Sequence, residues 1–398
     1  KRSREASKIS GEIFSKSGSY TLVKGLPDSE FVGHEQLEAI GQLLRVIKNE
    51  AVQASLKAGE EGLLIFDKTP FYAEAGGQVG DAGEVLGNSS KAAVIDATWM
   101  EKCIAHKVRV ESGELRSDES YALKVNGERR ADIMKNHTAT HLLHSALRKV
   151  LGDHVKQSGS LVAPDRLRFD FTHFGPVDAE KIAEVEALVN REIRKNVALN
   201  KKVGGKAEAV REGAIAFFGE KYGDEVRVVM IGDFSKELCG GTHLRSTGEI
   251  QSFKIISEGS IQAGVRRIEA VTGRGAEALL KKQDLEAQSI ASDFRILESN
   301  LQDGIKKLMV RVNGLKNRLD KTHNEKVKHK IIQDFKTAPK IGTVTYLKEN
   351  IPGANVEVFK VACDYLKSLN VPYVTLMVSG TNEKTSFVVS GSGDLIER

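Results

Sequence analysis

Two pairs of side chains, about a hundred residues apart, constrain this chain more than any other feature. His137 and His141 stand four positions apart in Asn136–Leu151, where Ala139, Leu143, Ala146, Leu147 and Val150 recur at helical spacing. On such a helix both imidazoles project from one face, a turn apart, and can pinch a single cation. The second pair lies in Cys239-Gly240-Gly241-Thr242-His243, where two glycines argue for a tight turn rather than a helix. A turn of that kind can aim a thiolate and an imidazole at one point. Together the pairs offer three nitrogens and one sulfur, a complete tetrahedral set for one Zn²⁺. The fold must then bring the loop onto the helix. The competing reading is two unrelated polar clusters, one helical and one in a surface turn. His144 shares the helix face but sits seven positions from His137, about 10.5 Å along the axis, too far to share an ion with it. It is expected as a packed or supporting histidine.

Around these pairs the patterning predicts an α+β multidomain chain. Its 398 residues suggest two to four units. No apolar run approaches the ~20 residues of a membrane span, and no N-terminal segment reads as a secretory signal. Cys103, Cys239 and Cys363 are too few and too scattered for a disulfide framework, which fits a cytoplasmic protein. The net charge of +5 permits an anionic partner without demanding one. After a linker over 1–30, Leu37, Ile40, Leu44 and Ile47 predict a helix over Leu37–Leu56. Short β-like runs with glycine corners follow (62–66, 93–95, 104–108), and 31–127 reads as a small β-barrel. Gly76-Gly77-Gln78 is expected to form a turn of that barrel. Within 128–275 lie the histidine helix, a second helix over Asp178–Lys195 and a buried strand over Glu225–Ile231. A long helical arm is expected over 276–334, with a coiled-coil seam of Leu301, Ile305, Leu308, Val312, Leu315 and Leu319 that Gly304 and Gly314 weaken. The last part, 335–398, alternates strand, helix (Val356–Leu369) and two strands, a small α/β domain.

Several motifs now resemble one family. His137-Thr138-Ala139-Thr140-His141, Gln157-Ser158-Gly159-Ser160-Leu161-Val162, Leu167-Arg168-Phe169-Asp170-Phe171, Cys239-Gly240-Gly241-Thr242-His243 and Arg266-Arg267-Ile268-Glu269-Ala270 occur in the order seen in alanyl-tRNA synthetases. Ala75-Gly76-Gly77-Gln78-Val79-Gly80-Asp81 resembles that family's barrel motif. The resemblance covers roughly Phe31–Gly275, more weakly beyond. It implies that His137, His141, Cys239 and His243 bind one zinc ion in an editing domain that hydrolyses Ser-tRNA(Ala) and Gly-tRNA(Ala). It also implies that ATP and Mg²⁺ belong to an aminoacylation domain lying before Lys1, so that ligation is not expected of this piece. The last domain is expected to be incomplete and to bind tRNA or pair two chains as a homodimer. No membrane partner is expected. Related modules occur as free-standing AlaX-type deacylases and in threonyl-tRNA synthetases, and a zinc-stabilised tRNA-binding or dimerisation module without activity is the alternative from outside the enzymes.

For the chemistry, Gln157 is the residue expected to shape a pocket for the serine hydroxyl, although a glutamine before Ser-Gly-Ser can equally cap a turn. Thr138 and Asp170 are lesser candidates for orienting substrate or water, with a helix-start cap the alternative for Thr138. Arg266 and Arg267 are candidates to grip tRNA phosphates, with pairing to Glu269 as the alternative. Nine Lys or Arg face three Asp or Glu between Leu301 and Lys330, either an RNA-tracking stripe or a solvated face.

Overall fold

A closed barrel grows from strands that alternate between core and solvent. The computed structural model describes residues 21–216, 223–380, 385–392 and 395. The chain divides into two compact units, Lys1–Gln283 and Asp284–Arg398. In the first, strands Glu38–Lys48, Glu61–Phe66, Cys103–Ser112, Lys91–Met100, Gly83–Leu86 and Ser120–Val125 pair in that order. Pairing of Ser120–Val125 back onto Glu38–Lys48 closes the ring, with Tyr121 opposite Gly41. Closure leaves no exposed edge among these six strands. Leu43, Val46, Leu64, Phe66, Val85, Val94 and Leu123 fill the interior.

This overturns the helix expected over Leu37–Leu56, which is the strand Glu38–Lys48 followed by short strands Ala51–Gln53 and Ser55–Lys57. The apolar spacing was coincidental: Ile40, central to the supposed stripe, is 72% exposed, whereas Val46 and Ile47 are buried as neighbours. Gly41 has its own reason, since a Cβ there would stand 2.4 Å from the Lys68 carbonyl oxygen. The expected linker 1–30 lies mostly outside the described residues; Leu22 and Val23 pack against Ile47, Ile65 and Met100 of the barrel wall.

Helix α1, Gly127–Leu151, leaves the barrel directly. It begins earlier than the apolar stripe suggests, capped by Asn126, whose Oδ1 accepts the Arg129 amide at 3.0 Å. Its inner face packs on a four-stranded antiparallel sheet ordered Gln157–Val162, Leu167–Thr172, Val265–Thr272, Phe253–Gln262. Helix α2, Ala179–Arg194, completes that layer, sharing a core of Leu142, Leu147, Phe169, Val185 and Val189 with it. A second antiparallel sheet of Leu199–Gly205, Glu225–Ile231 and Ser235–Leu238 carries the chain to Cys239; the short helix α3, Lys206–Arg211, lies in its first connection.

The long helical stretch is two helices: α4, Gly273–Asp293, and α5, Leu301–Thr337. Between them Arg295 takes φ 53° and Ile296 folds over Gly304, where a Cβ would lie 2.6 Å from the isoleucine. Gly304 thus makes room for a neighbour rather than merely weakening the helix. In the second unit only the end of α5 is buried, through Val327, Ile331 and Phe335. That end packs with α6, Val356–Ser368, on a sheet whose strands Val344–Asn350 and Tyr373–Gly380 are parallel, with Thr385–Gly391 antiparallel beside them. This is the expected small α/β arrangement. The expected seam is open to solvent within the unit, Leu319 being 70% exposed. Among the described residues no helix is long and apolar enough to cross a membrane.

One buried ion pair joins α1 to the barrel. Arg130, 2% exposed, places Nε 3.0 Å from both Asp81 carboxylate oxygens and donates Nη1 to the Gly33 carbonyl (2.6 Å) and Nη2 to that of Pro70 (2.9 Å). Asp81 also accepts the Tyr72 amide at 2.7 Å. Removing one partner leaves a buried charge uncompensated, so Arg130→Met is expected to cost about 3–5 kcal/mol. Urea unfolding followed through Trp99, which lies in a barrel strand, measures this; an unchanged midpoint would contradict it.

Candidate metal centre and adjoining cavity

The loop does reach the helix. Cys239 Sγ lies 3.3 Å from His137 Nε2 and 3.2 Å from His243 Nε2. One donor atom from each of His137, His141, Cys239 and His243 falls within 4.8 Å of all the others. Donors held 2.0–2.3 Å from one tetrahedral ion would stand roughly 3.3–3.8 Å apart, so the spacing suits a single small cation. Local sequence makes the approach possible. A Cβ at Gly241 would sit 2.1 Å from His137 Cε1, so only glycine lets the loop close on the helix. Arg227 Nη1 fixes the loop from outside by donating to the Cys239 (3.1 Å) and Gly241 (2.8 Å) carbonyls, and Lys201 Nζ donates to that of His243 (3.3 Å).

Each imidazole is steered by its other nitrogen. His137 Nδ1 lies 2.7 Å from Gln78 Oε1, His141 Nδ1 bonds the Glu237 carboxylate, and His243 Nδ1 lies 3.3 Å from Thr138 Oγ1. Such partners fix ring orientation and direct the opposite nitrogen toward a metal. Glu237 also takes His144 Nδ1 at 2.7 Å, so His144 supports the centre rather than joining it. Charge follows geometry. Burial pushes the Cys239 thiol up, but His137, His243 and His141 outweigh it and carry the group well below its usual range. Burial likewise opposes the Glu237 carboxylate, yet His141 and His144 hold it at about 2. His141, which burial would lower, is drawn up to about 10 by Glu237 and Cys239. A thiol lowered in this way favours the thiolate that a divalent cation takes, while His141 would have to give up its proton to join it.

Beside the donors lies a cavity of about 140 Å³, walled by Tyr72, Thr140, Gln157, Ser160 and the Gly240–Gly241 backbone together with His137, His141 and Cys239. Gln157 enters its strand at a register shift, the kind of bulge that re-aims a side chain. The other expected residues lie elsewhere. Thr138 is inside α1, not at its start, and its Oγ1 accepts the Leu244 amide at 3.3 Å as well as meeting His243. Asp170 does not line the cavity; Arg267 Nε and Nη2 donate to its two oxygens at 2.7 and 2.8 Å. Arg266 makes a parallel pair with Glu258 at 2.5 and 2.7 Å, and Glu269 stands instead 3.7 Å from Arg166.

Three residues of the site escape sequence reasoning. Gln78 is fully buried: its Oε1 also accepts the Thr242 amide (3.0 Å) and its Nε2 donates to Thr242 Oγ1 (2.9 Å). Gly76 and Gly77, both at positive φ, form the tight turn that delivers it, as Ala75 and Gln78 pair across them. Glu237 carried only a faint signal, an acid two residues before Cys239 in the short strand Ser235–Leu238. Thr140 carried only its place between the histidines.

Comparison with known proteins accords with this geometry. Residues 226–269 match the family model of the threonyl and alanyl tRNA synthetase second additional domain, and residues 1–129 that of class II (A) tRNA synthetases. The chain is 42% identical over 373 residues to an alanine–tRNA ligase of Oleidesulfovibrio alaskensis, covering 93% of this chain and 42% of that protein. With the alanine–tRNA ligase of Acidithiobacillus ferridurans it shares 39% identity over 385 residues, 96% of this chain and 44% of the relative. The Stenotrophomonas maltophilia alanine–tRNA ligase is 41% identical over 379 residues, 94% and 42%. The chain spans less than half the length of these curated relatives. The matched stretch covers more than nine-tenths of this chain, and the chain belongs to the alanyl-tRNA synthetase family.

Proposed function

We propose that the cavity is a hydrolytic editing site that cleaves the ester of Ser-tRNA(Ala) and Gly-tRNA(Ala), with His137, His141, Cys239 and His243 holding one zinc ion. The observation that carries this reading is a small cavity, lined in part by Thr140, Gln157 and Ser160, that opens onto His137, His141 and Cys239 of the four-residue cluster. A ligase pocket shaped for a methyl group cannot exclude glycine and rejects serine, which adds one hydroxyl, by only about 10²-fold. A second site has the inverse task of sparing alanine. Gln157 and Ser160 suit it, since they can satisfy a serine hydroxyl that an alanyl methyl lacks, and Thr140 Oγ1, which donates to the Asn136 carbonyl at 2.8 Å, can still accept from that hydroxyl. The volume admits a small side chain and turns away large ones.

Zinc, when bound, supplies a Lewis acid for the ester or its attacking water. The remaining work falls to the chain. Gln78, Glu237 and Thr138 hold the three rings in register, and Arg227 keeps the Gly240–Gly241 backbone against the cavity. Thr138 therefore acts through His243, and Asp170, Arg266 and Arg267 build the sheet behind the site. Attachment of alanine with ATP and Mg²⁺ is proposed for the longer proteins of the family. The open seam of α5 supports pairing of two chains through that helix. A zinc-stabilised RNA-binding module without turnover remains the rival reading, favoured by the completeness of the four-residue donor set, which leaves no position for water.

Metal analysis of the purified chain is expected to find one zinc per chain, lost in Cys239→Ala; a metal-free wild type would remove the centre from the proposal. Gln78→Ala should weaken zinc binding about 10- to 100-fold in competition with a chelator, since it releases His137. Wild-type chain is expected to deacylate seryl-tRNA(Ala) and to spare alanyl-tRNA(Ala), and Cys239→Ala to lose at least tenfold in rate. Binding of tRNA without turnover would decide for the rival.

A further inference from the structure

A stack of aromatic rings leads out of the site to the surface. Phe169 and Phe171 alternate along the strand Leu167–Thr172 with ring centroids 6.2 Å apart and planes within 20°. Phe169 lies 5.3 Å from His144, next to the donor set, and Phe171 lies 6.4 Å from His173. Beyond them His154, His173 and Phe174 close into one cluster: His154 stacks on Phe174 at 4.4 Å and 22°, and His154 Nε2 meets His173 Nδ1 at 2.9 Å. Phe174 is 83% exposed. An isolated apolar ring on a surface needs no explanation, but this one is propped by a hydrogen-bonded histidine pair that fixes its plane.

Its position gives that plane a use. His154 is three residues from Gln157, at most about 10 Å of extended chain, and Gln157 lines the cavity directly opposite Phe171. Burial and His154 lower the basicity of His173, and Lys181 and Arg266 add to this, while Glu258, the partner of Arg266, acts the other way. An exposed ring held in a fixed plane, a few residues from the proposed ester-binding cavity, has the chemistry of a base-stacking platform. We infer that Phe174, supported by His154 and His173, stacks an unpaired base of the RNA strand next to the nucleotide whose ester enters the cavity. This rests on the hydrolytic reading above. It assigns recognition of the unpaired strand to stacking rather than to Arg266 and Arg267, whose forks are already filled by Glu258 and Asp170.

The test uses the whole chain with two substrates, seryl-tRNA(Ala) and the serine ester of adenosine, which has no neighbouring base. Phe174→Ala is expected to raise KM for the tRNA ester roughly tenfold with kcat unchanged, while hydrolysis of the adenosine ester is unaffected. Phe174→Trp should restore the KM. Unchanged KM in Phe174→Ala, or an equal loss on both esters, would overturn the platform. A second measurement separates its failure from failure of the hydrolytic reading. Affinity for an RNA hairpin with an unpaired 3′ end should exceed that for the blunt hairpin, and Phe174→Ala should erase the difference. If the wild-type chain hydrolyses neither ester, the hydrolytic reading falls, and the hairpin comparison still decides the platform: equal affinities in wild type and Phe174→Ala reject it.

Discussion

Everything at the candidate site depends on one close approach, that of the Cys239 sulfur to the imidazole of His137. Four ionisable groups gathered out of water repel, desolvate and compete for protons, and such a gathering is unfavourable unless something offsets it. The surrounding structure does part of this without a metal. Glu237 neutralises the charge drawn onto His141, the imidazoles stabilise a thiolate, and Arg227 and Lys201 engage the loop carbonyls. The site is therefore arranged by a surrounding layer of ordinary hydrogen bonds as much as by its four donors.

That layer is drawn from three separate pieces of chain. His137 and His141 ride on a helix that the barrel launches through Asn126 and anchors through Arg130 and Asp81. The thiol comes from the end of the small three-stranded sheet. The cavity wall comes from the sheet edge at Gln157 and from the barrel turn at Gly76–Gly77. No single supersecondary unit contains the cluster, and the cavity lies where barrel and helical layer meet.

The donor residues were legible in the sequence because metal ligation needs particular atoms at particular spacings, and both His137–His141 and Cys239–His243 show them. The strand Glu225–Ile231 and helix Val356–Ser368 were legible too, being short, strongly patterned and bounded by turn residues. The segment after Leu37 was not: a barrel strand with a bulge near Leu43–Arg45 breaks the two-residue alternation and imitates a helical stripe. Gln78 and Glu237 were hidden for a different reason. A supporting side chain answers to a partner distant in sequence, 59 residues for Gln78 and His137, and local pattern holds no trace of such a pairing. Thr138 and Asp170 looked chemical by their neighbours alone, and the fold gave them to His243 and Arg267.

The amide of Gln78 has a consequence for the behaviour of the molecule. It belongs to the barrel, yet one oxygen and one nitrogen grip both a ring on α1 and the Thr242 turn. With a cation held as proposed, its occupancy and the docking of the barrel against the helical layer would be thermodynamically linked, and linkage is reciprocal. Whatever loosens the barrel would lower affinity for the ion, and loss of the ion would free the barrel by the same factor.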